Sequence, residues 1–528
     1  MGIPSYYKRL IDRFPKLVRK GIQQVSSDVL LMDFNCLIYQ CVRDPSLPTY
    51  TTDTRDVWET ALLEAVKKYT RKVWTVAGKP PSVFIGVDGV VPMAKIRQQR
   101  LRRFKSIWLA EQELQAGVRK PGEEYWDTNA ITPGTEFMEK LGGALGALAT
   151  AHTGWTVSGA DEAGEGEQKL MAWVRTRRES LKGKQLLVYG LDADLIVLSM
   201  LGVAREVPEI GGWSLLRELT EFEGGRGGAE SSFGTLNVVD LLEVLSTGGD
   251  MSKEDYMLDY MCAMSFLGND FLPHSLSIKM RDGGHDILCN TMWDIHKSRK
   301  RFVRDGVVQA DACAELARRW ALKEEESMAE SFHHKYKMRP MPPRNDKEAM
   351  MQRVQNLPIE WAAERSLWNQ GKGMVPGWRE TYRRELLQEA TVTQTCAEYV
   401  RGLQWIIDYY SGKPVSYSWY FPWNVPPLWS ELRDYLSGLQ SLEGFAPPPS
   451  LPVAPQEQLA MVLPMKSWRL VREPKLRGLP FKLPVYWPAT FGFFSIGRRW
   501  MWECEAEIPI LTAERMRNVT AKHFHSTG

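Results

Sequence analysis

Three short apolar runs in the first half of the chain each lead to an aspartate. Val29–Met32 runs into Asp33 (VLLMDFN), Val83–Val87 into Asp88 (VFIGVDG), and Leu186–Tyr189 passes Gly190 before reaching Asp192 and Asp194 (LLVYGLDADL). Runs of this length read as buried strands. A carboxylate at the end of such a strand is costly unless something cationic holds it. A parallel α/β sheet lines up its strand ends along one carboxyl edge, where ligands bind. Aspartate also suits turns, so one instance says little. Three in the same relation point to an acidic metal site on a mostly parallel, twisted sheet flanked by helices.

Two further acidic features extend the set. GEGEQK places Glu165 and Glu167 two apart beside glycines, so both face one way only if the turn itself presents them. LGNDF places Asp270 in a turn with Asn269. The candidate metal ligands and catalytic residues are therefore Asp33, Asp88, Glu165, Glu167, Asp192, Asp194 and Asp270. If they converge, mutual repulsion raises some of their pKa values unless divalent cations neutralise them. All-oxygen ligands suit Mg²⁺ or Mn²⁺. Two such ions, roughly 3.5–4 Å apart, can activate a water and stabilise the leaving oxygen of a phosphodiester. The plainer alternatives are a calcium site or scattered turn carboxylates, although the spacing of an EF-hand loop is absent.

A basic segment, AKIRQQRLRRFK, follows Asp88 and Pro92. At about 100° per residue, Lys95, Gln99, Arg102 and Arg103 share an arc of roughly 100°, with Ile96, Arg100 and Phe104 on an adjoining side. A run of cations is ordinarily a solvated face. Beside a metal-site strand, this one can form a phosphate pocket in which arginine makes bidentate contacts. The basic run Arg299–Arg304 lacks such a context and reads as surface helix. His152 and His274 read as packing or surface residues. No GxSxG, HExxH or Walker-type loop occurs.

The remaining totals narrow the class. At 528 residues the chain can hold two or three domains, and 44% hydrophobic with 25% charged residues excludes wholesale disorder. A net charge of +3 means that any nucleic-acid contact comes from local patches. Seven cysteines without a CxxC pair suggest reduced thiols in an intracellular protein and argue against zinc. No apolar run is long enough to span a bilayer, and the start MGIPSY lacks the hydroxyl residue preferred for myristoylation. Most of the 20 tryptophans are expected in cores, with some free to serve as stacking platforms.

Along the chain, Tyr6 to about Lys20 reads as a basic amphipathic helix interrupted at Pro15, and Asp56–Val76 as a second helix. Further helices are expected over TPGTEFMEKLGGALGALAT, from roughly Glu165, and over Tyr256–Phe266. Gly224–Gly234 reads as a surface loop. Proline-rich punctuation at RPMPPR (Arg339–Arg344) and PPPSLPVAP (Pro447–Pro455) marks a change of character. A boundary near Met338 separates a first unit, 1–338, from a mainly helical second one, 339–528.

With these pieces in view, the chain resembles the XRN-type 5′→3′ exoribonucleases of the flap-nuclease, PIN-like superfamily. The matching motifs are MGIPSYYKRL, LLMDFNCLIYQC, VDGVVPMAKIRQQRLRRFKS, ITPGTEFM, GEGEQKLM, YGLDADLIVLS and FLGNDFLPH. In the second half they are GWRETYRREL, GLQWIIDYYSGKPVSYSWYFPW, APQEQLAMVLP and YWPATFGFFSIGRRWMWECEAEIPILTAERM. The resemblance implies that the seven carboxylates hold metal, and that Lys95, Gln99, Arg102 and Arg103 grip a 5′-terminal monophosphate. Single-stranded RNA is then degraded processively to mononucleotides, while caps and triphosphates are too large. It also implies a base-stacking pair: Tyr39, where the family has histidine, and a tryptophan of the second region, for which Trp419 is the candidate. Met93 and Arg97 also depart from the family's usual residues. The small C-terminal β domains of the large cytoplasmic members are expected to be absent, as are the zinc knuckle and long insertion of the nuclear ones. A compact catalytic core is expected, cytoplasmic rather than nuclear, with protein partners replacing the missing domains left open. Two other readings stand beside this one: a structure-specific 5′ nuclease on DNA flaps, and an idle RNA-binding scaffold. Against the first, no helix–two-turn–helix segment follows Asp270; against the second, an unused cluster of seven carboxylates destabilises a fold.

Overall fold

Alternation along the apolar runs sets up the central layer. In β2 (Val29–Asp33), Leu30 and Met32 enter one hydrophobic core while Val29 and Leu31 enter another. A strand with period-two side chains, buried on both faces, belongs inside a sheet covered by helices. The computed structural model describes residues 5–219, 232–247, 251–338, 340, 342–388 and 390–522. The MGIP start, most of the expected Gly224–Gly234 loop and two residues of RPMPPR lie outside these.

The first half runs α1 (Tyr6–Arg13), β1 (Val18–Ile22), β2, α2 (Asn35–Val42), α3 (Arg55–Val76), β3 (Ser82–Gly86), α4 (Met93–Gln115), α5 (Glu136–Thr150), β4 (Trp155–Ser158), α6 (Gly166–Arg175), α7 (Arg178–Leu181), β5 (Gln185–Tyr189), α8 (Asp194–Leu201), β6 (Gly212–Glu218) and β7 (Phe233–Asn237). The seven strands form one sheet in the order β1-β7-β6-β5-β2-β3-β4. From β6 to β4 all pairs are parallel, and β7 and β1 add antiparallel edge pairs. In this register Met32 lies opposite Tyr189, and Asp33 opposite Gly86. The three strands that precede the aspartates are thus neighbours, and their carboxyl ends are level.

Helices α3 and α5 cover one face, supplying Leu62, Val66, Leu141 and Leu145. Helices α6 and α8 cover the other with Leu170, Val174 and Leu198. Beyond the sheet come α9 (Val238–Ser246), α10 (Lys253–Ser265), α11 (Gly284–Lys297), the short hairpin β8–β9 (Val303–Arg304 and Val307–Val308), α12 (Ala310–Ala321), α13 (Glu324–Lys337), α14 (Asp346–Trp361), a second hairpin β10–β11 (Trp368–Asn369 and Gly373–Met374), α15 (Trp378–Thr381), α16 (Val392–Tyr410), α17 (Trp429–Ser437) and α18 (Pro455–Val462). Thr391 and Gln394 close a capping box at the start of α16. One continuous core joins Leu198 of α8 and Met261 of α10 to Leu403 of α16 and Leu432 of α17, so elements on both sides of Met338 share it. Among the described residues no helix is long and apolar enough to cross a membrane.

The structure departs from the sequence reading in three places. The opening helix stops at Arg13, and Val18–Ile22 is an edge strand whose outward Arg19 and Lys20 suit an exposed sheet margin. Phe233 and Gly234, expected in a loop, pair in β7 with β6 and β1. Arg299–Arg304 is not a surface helix. Arg299 takes a left-handed φ of 57°, Phe302 is buried, and Arg301 Nε donates to Asp259 Oδ2 at 2.7 Å. A buried carboxylate on α10 recruits that segment, which no local pattern announces.

Helix α4 is tied to the second half by its own apolar side. Ile96, Leu101 and Phe104 pack with Leu459, Met461 and Trp487. Arg100 is fully buried among them. It donates from Nε to the Pro509 carbonyl at 3.0 Å, from Nη1 to the Met461 carbonyl at 2.7 Å, and from Nη2 to the Tyr486 carbonyl. Each carbonyl left without its donor costs about 1–3 kcal/mol. Arg100→Met is therefore expected to lower unfolding free energy by roughly 3 kcal/mol or more, measured by urea titration in chelator.

Candidate active site

The carboxyl ends of β2, β3 and β5 deliver Asp33, Asp88, Asp192 and Asp194, and the start of α6 delivers Glu165 and Glu167. Asp270 comes from the turn after α10, where Asn269 Oδ1 accepts from the backbone N–H groups of Phe271 and Leu272. One carboxylate oxygen from each of Glu167, Asp192 and Asp194 lies within 4.8 Å of the others. Asp33 feels the charges of Asp88, Asp192 and Asp194, and Glu167 feels those of Asp194 and Glu165. Lys95 joins Asp270 to Glu165, and Asp270 acts in turn on Asp192 and Asp194, so the seven acids lie close together.

Close backbone approach makes this possible. A Cβ on Gly166 would stand 2.6 Å from Asp33 Oδ1 and 2.8 Å from the Gly86 carbonyl, so only glycine lets α6 press on β3. The amide of Gly166, at the positive end of α6, donates to Asp88 Oδ1 at 2.7 Å. Asn35 Nδ2 donates to Asp88 Oδ2 at 2.9 Å, and Tyr409 Oη to Glu165 Oε1 at 2.7 Å. Lys95 Nζ bridges Glu165 at 2.6 Å and Asp270 at 2.7 Å. Against the opposing effect of burial, the Lys95 ammonium leads in holding the Asp270 carboxyl down to about 2.

The rest of the hollow is less compensated. Burial raises Asp33 and Glu167 well above the usual carboxylate range, and neighbouring carboxylates add to it. Burial pushes Asp194 up to about 7 despite Lys95. Among the described residues both oxygens of Asp194 and Oε1 of Glu167 are buried without hydrogen-bond partners. Orphaned, all-oxygen acceptors in one place are what a hard divalent cation satisfies, so Glu167, Asp192 and Asp194 could hold a metal ion.

The expected basic face divides. Lys95 turns to the acids. Gln99 is buried and its Oε1 has no partner; buried Arg103 donates to Asn129 Oδ1 at 2.7 Å and feels Tyr39 nearby. Arg102, half-buried, lies beside Asp270 and makes no hydrogen bond or ion pair among the described residues. Tyr39 is partly buried at the edge of the core under α3. Trp419 sits in the other core, 8% exposed, with Nε1 donating to Glu398 at 3.0 Å and its ring near Trp405. Its faces are committed to packing, which does not suit the stacking role expected of it. Half-buried Tyr417, two residues earlier, lies near Glu165, and its carbonyl accepts from the Met93 amide at the start of α4. Tyr417, Tyr409, Asn35 and Gln98, which donates to Asp270, were not singled out in sequence. Only Asn35 carried a local signal, two positions after Asp33.

Asp194 binds its proton more tightly folded than unfolded, so in the metal-free protein its own contribution to stability is lost as pH rises from about 4 through 7. His274 and His285, held down to about 4 by burial, act in the opposite sense over the same range, so Asp194 is read by difference. In EDTA, Asp194→Asn should gain melting temperature over wild type between pH 5 and pH 7.5, a stabilisation reaching the order of a few kcal/mol at pH 7.5.

Comparison with known families meets this geometry. Residues 1–211 match the XRN 5′-3′ exonuclease N-terminus, and residues 362–526 match the Xrn1 helical domain. The whole chain aligns at 26% identity with 5′-3′ exoribonuclease 1 of Homo sapiens, spanning 34% of that protein. It aligns at 25% identity with 5′-3′ exoribonuclease 2 of Yarrowia lipolytica, spanning 70% of it. Over 57% of the chain, identity to 5′-3′ exoribonuclease 2 of Eremothecium gossypii is 31%, covering 39% of that relative. The chain thus spans about a third of the human relative's length and more of some others. With two family segments around one acidic hollow, the chain belongs to the XRN 5′-3′ exonuclease family.

Proposed function

We propose that this chain is a metal-dependent 5′→3′ exoribonuclease that takes single-stranded RNA with a 5′ monophosphate and releases mononucleotides processively. One observation carries the reading: buried carboxylates with orphaned oxygens converge directly beside the cationic helix α4. Residues 1–338 act as the nuclease core, and 339–528 complete the substrate channel through their grip on α4. The seven free cysteines accord with an intracellular setting.

Glu167, Asp192 and Asp194, with Asp33 and Asp88, would hold Mg²⁺ or Mn²⁺, with Glu165 and Asp270 close enough to serve a second ion. Bound divalent cations supply charge stabilisation at the scissile phosphate and a more acidic water. The chain's own residues set the register. Gln99, Arg102 and Arg103, with Lys95 at the boundary to the acids, receive the terminal phosphate through charge-assisted hydrogen bonds. Because Lys95 also touches Glu165 and Asp270, the pocket and the acids are separated by one side chain. A phosphate seated there places the first phosphodiester at the acidic hollow, so each cut frees one nucleotide. Tyr39 and Tyr417 are the aromatic faces available to bases at this end, in place of the packed Trp419.

The test is degradation of one labelled RNA carrying four different 5′ ends, with and without Mg²⁺. Loss of the monophosphate form alone, abolished by EDTA, is expected; equal rates on 5′-hydroxyl and 5′-phosphate ends contradict the pocket. Asp194→Ala should lower turnover by about 10²–10³-fold or more while RNA binding, read by fluorescence anisotropy, stays near wild type. Arg102→Ala should weaken binding of the 5′-phosphorylated end roughly tenfold or more and leave 5′-hydroxyl RNA little changed, so the preference between the two ends narrows.

A further inference from the structure

Helix α4 borders a second hollow, on the side away from Gln99 and Arg103. A cavity of about 140 Å³ lies between α4, the turn that carries Asp270 and the stretch 497–505. That far exceeds the roughly 10–15 Å³ required by one water. Its wall includes Arg97, Arg102, Lys105, Lys279, Arg281 and Arg498. Three carboxylates share it, and each is already engaged. Asp270 takes Lys95 at 2.7 Å and Gln98, Glu503 takes Arg281 at 2.5 Å, and Glu505 takes Arg97 at 3.5 Å.

Among the described residues, four cations are left without a carboxylate of their own. Lys105 donates to the carbonyls of Trp502 and Cys504 at 2.7 and 2.6 Å, and Lys279 to the carbonyl of Gly497 at 2.6 Å. Neutral acceptors leave those charges uncompensated. Burial brings Lys279 down to about 7, with Arg281 and Arg498 adding to it, and brings Lys105 down to about 8. Arg498 is only 7% exposed. Among the described residues its side chain makes no hydrogen bond or ion pair, and its Nε is buried without an acceptor. Glu505 acts on it only through space, and the Phe494 ring lies 5.9 Å from its guanidinium. Arg102 is the fourth. A buried guanidinium without an anion is costly, and its planar fork matches a phosphate.

We propose that this cavity is an anion site for one phosphoryl group, distinct from the 5′-end pocket, with Arg498 and Lys279 as its anchors. Arg102 stands on the wall common to both. The occupant is a phosphate, either a backbone phosphate of bound RNA or a free phosphate. Occupancy depends on these cations alone, whatever chemistry the acidic hollow performs.

Calorimetric titration of the full chain with inorganic phosphate, in EDTA at low ionic strength, tests this. Wild type is expected to bind phosphate both here and in the 5′-end pocket, so the site is read in a Gln99→Ala, Arg103→Ala background. There one equivalent should still bind, and adding Arg498→Met or Lys279→Met should weaken it by roughly tenfold or more. Melting curves of each variant identify any that fail to fold, and either anchor variant suffices. A second arm repeats the titration with saturating 5′-hydroxyl single-stranded RNA. Loss of the phosphate signal assigns the site to the RNA backbone, and an unchanged signal assigns it to free phosphate. Absence of saturable binding in that background, or folded anchor variants that bind there like their parent, would overturn the proposal.

Discussion

Repulsion among carboxylates withdrawn from water is what the surrounding structure has to withstand, and it does so unevenly. Asp88 is met by an amide at the head of α6 and by Asn35, Glu165 by Tyr409, and Asp270 by Lys95. These contacts gather on one side of the hollow. On the other, both oxygens of Asp194 and one of Glu167 have no hydrogen-bond donor among the described residues. A fold selected for stability alone would not leave three buried carboxyl oxygens bare. The imbalance is therefore the functional statement: a rigid, partly neutralised frame around an unneutralised centre that a divalent cation completes.

Helix α4 connects that centre to the rest of the molecule because its faces do different work. Lys95 reaches back into the acids, Arg103 turns toward Asn129 and Tyr39, and Arg102 stands between that side and the second cavity. Ile96, Arg100 and Phe104 bind the remaining side to residues beyond 450. Three backbone carbonyls converging on one buried guanidinium fix the rotation of the helix about its axis. A small rotation would move the cations relative to the carboxylates, so the second half of the chain positions the site without contributing an acidic ligand to it.

Much of this was legible before any coordinates. Periodicity marked the strands, and level parallel strands necessarily bring Asp33, Asp88 and Asp192 to one edge. The helical wheel separated Lys95 and Gln99 from Ile96, Arg100 and Phe104 as the structure does. What was illegible depended on distant partners. Arg301 and Phe302 leave the expected helix because Asp259 and a core wait for them, and Val18–Ile22 becomes a strand because β7 lies alongside. Trp419 and Tyr417 are two residues apart and chemically alike, and only packing decided which ring is shut inside.

The order of residues along the chain, through side-chain alternation and the turn chemistry of glycine and aspartate, determined the parallel sheet, the convergence of the acids and the cationic helix beside them, since each follows from local geometry repeated along the backbone. Tertiary structure alone decided which of those charges find partners. Lys95 meets Glu165 and Asp270, Arg100 meets three carbonyls and Arg498 meets no carboxylate at close range, because such pairings depend on side chains brought together across tens or hundreds of residues, where no spacing rule reaches.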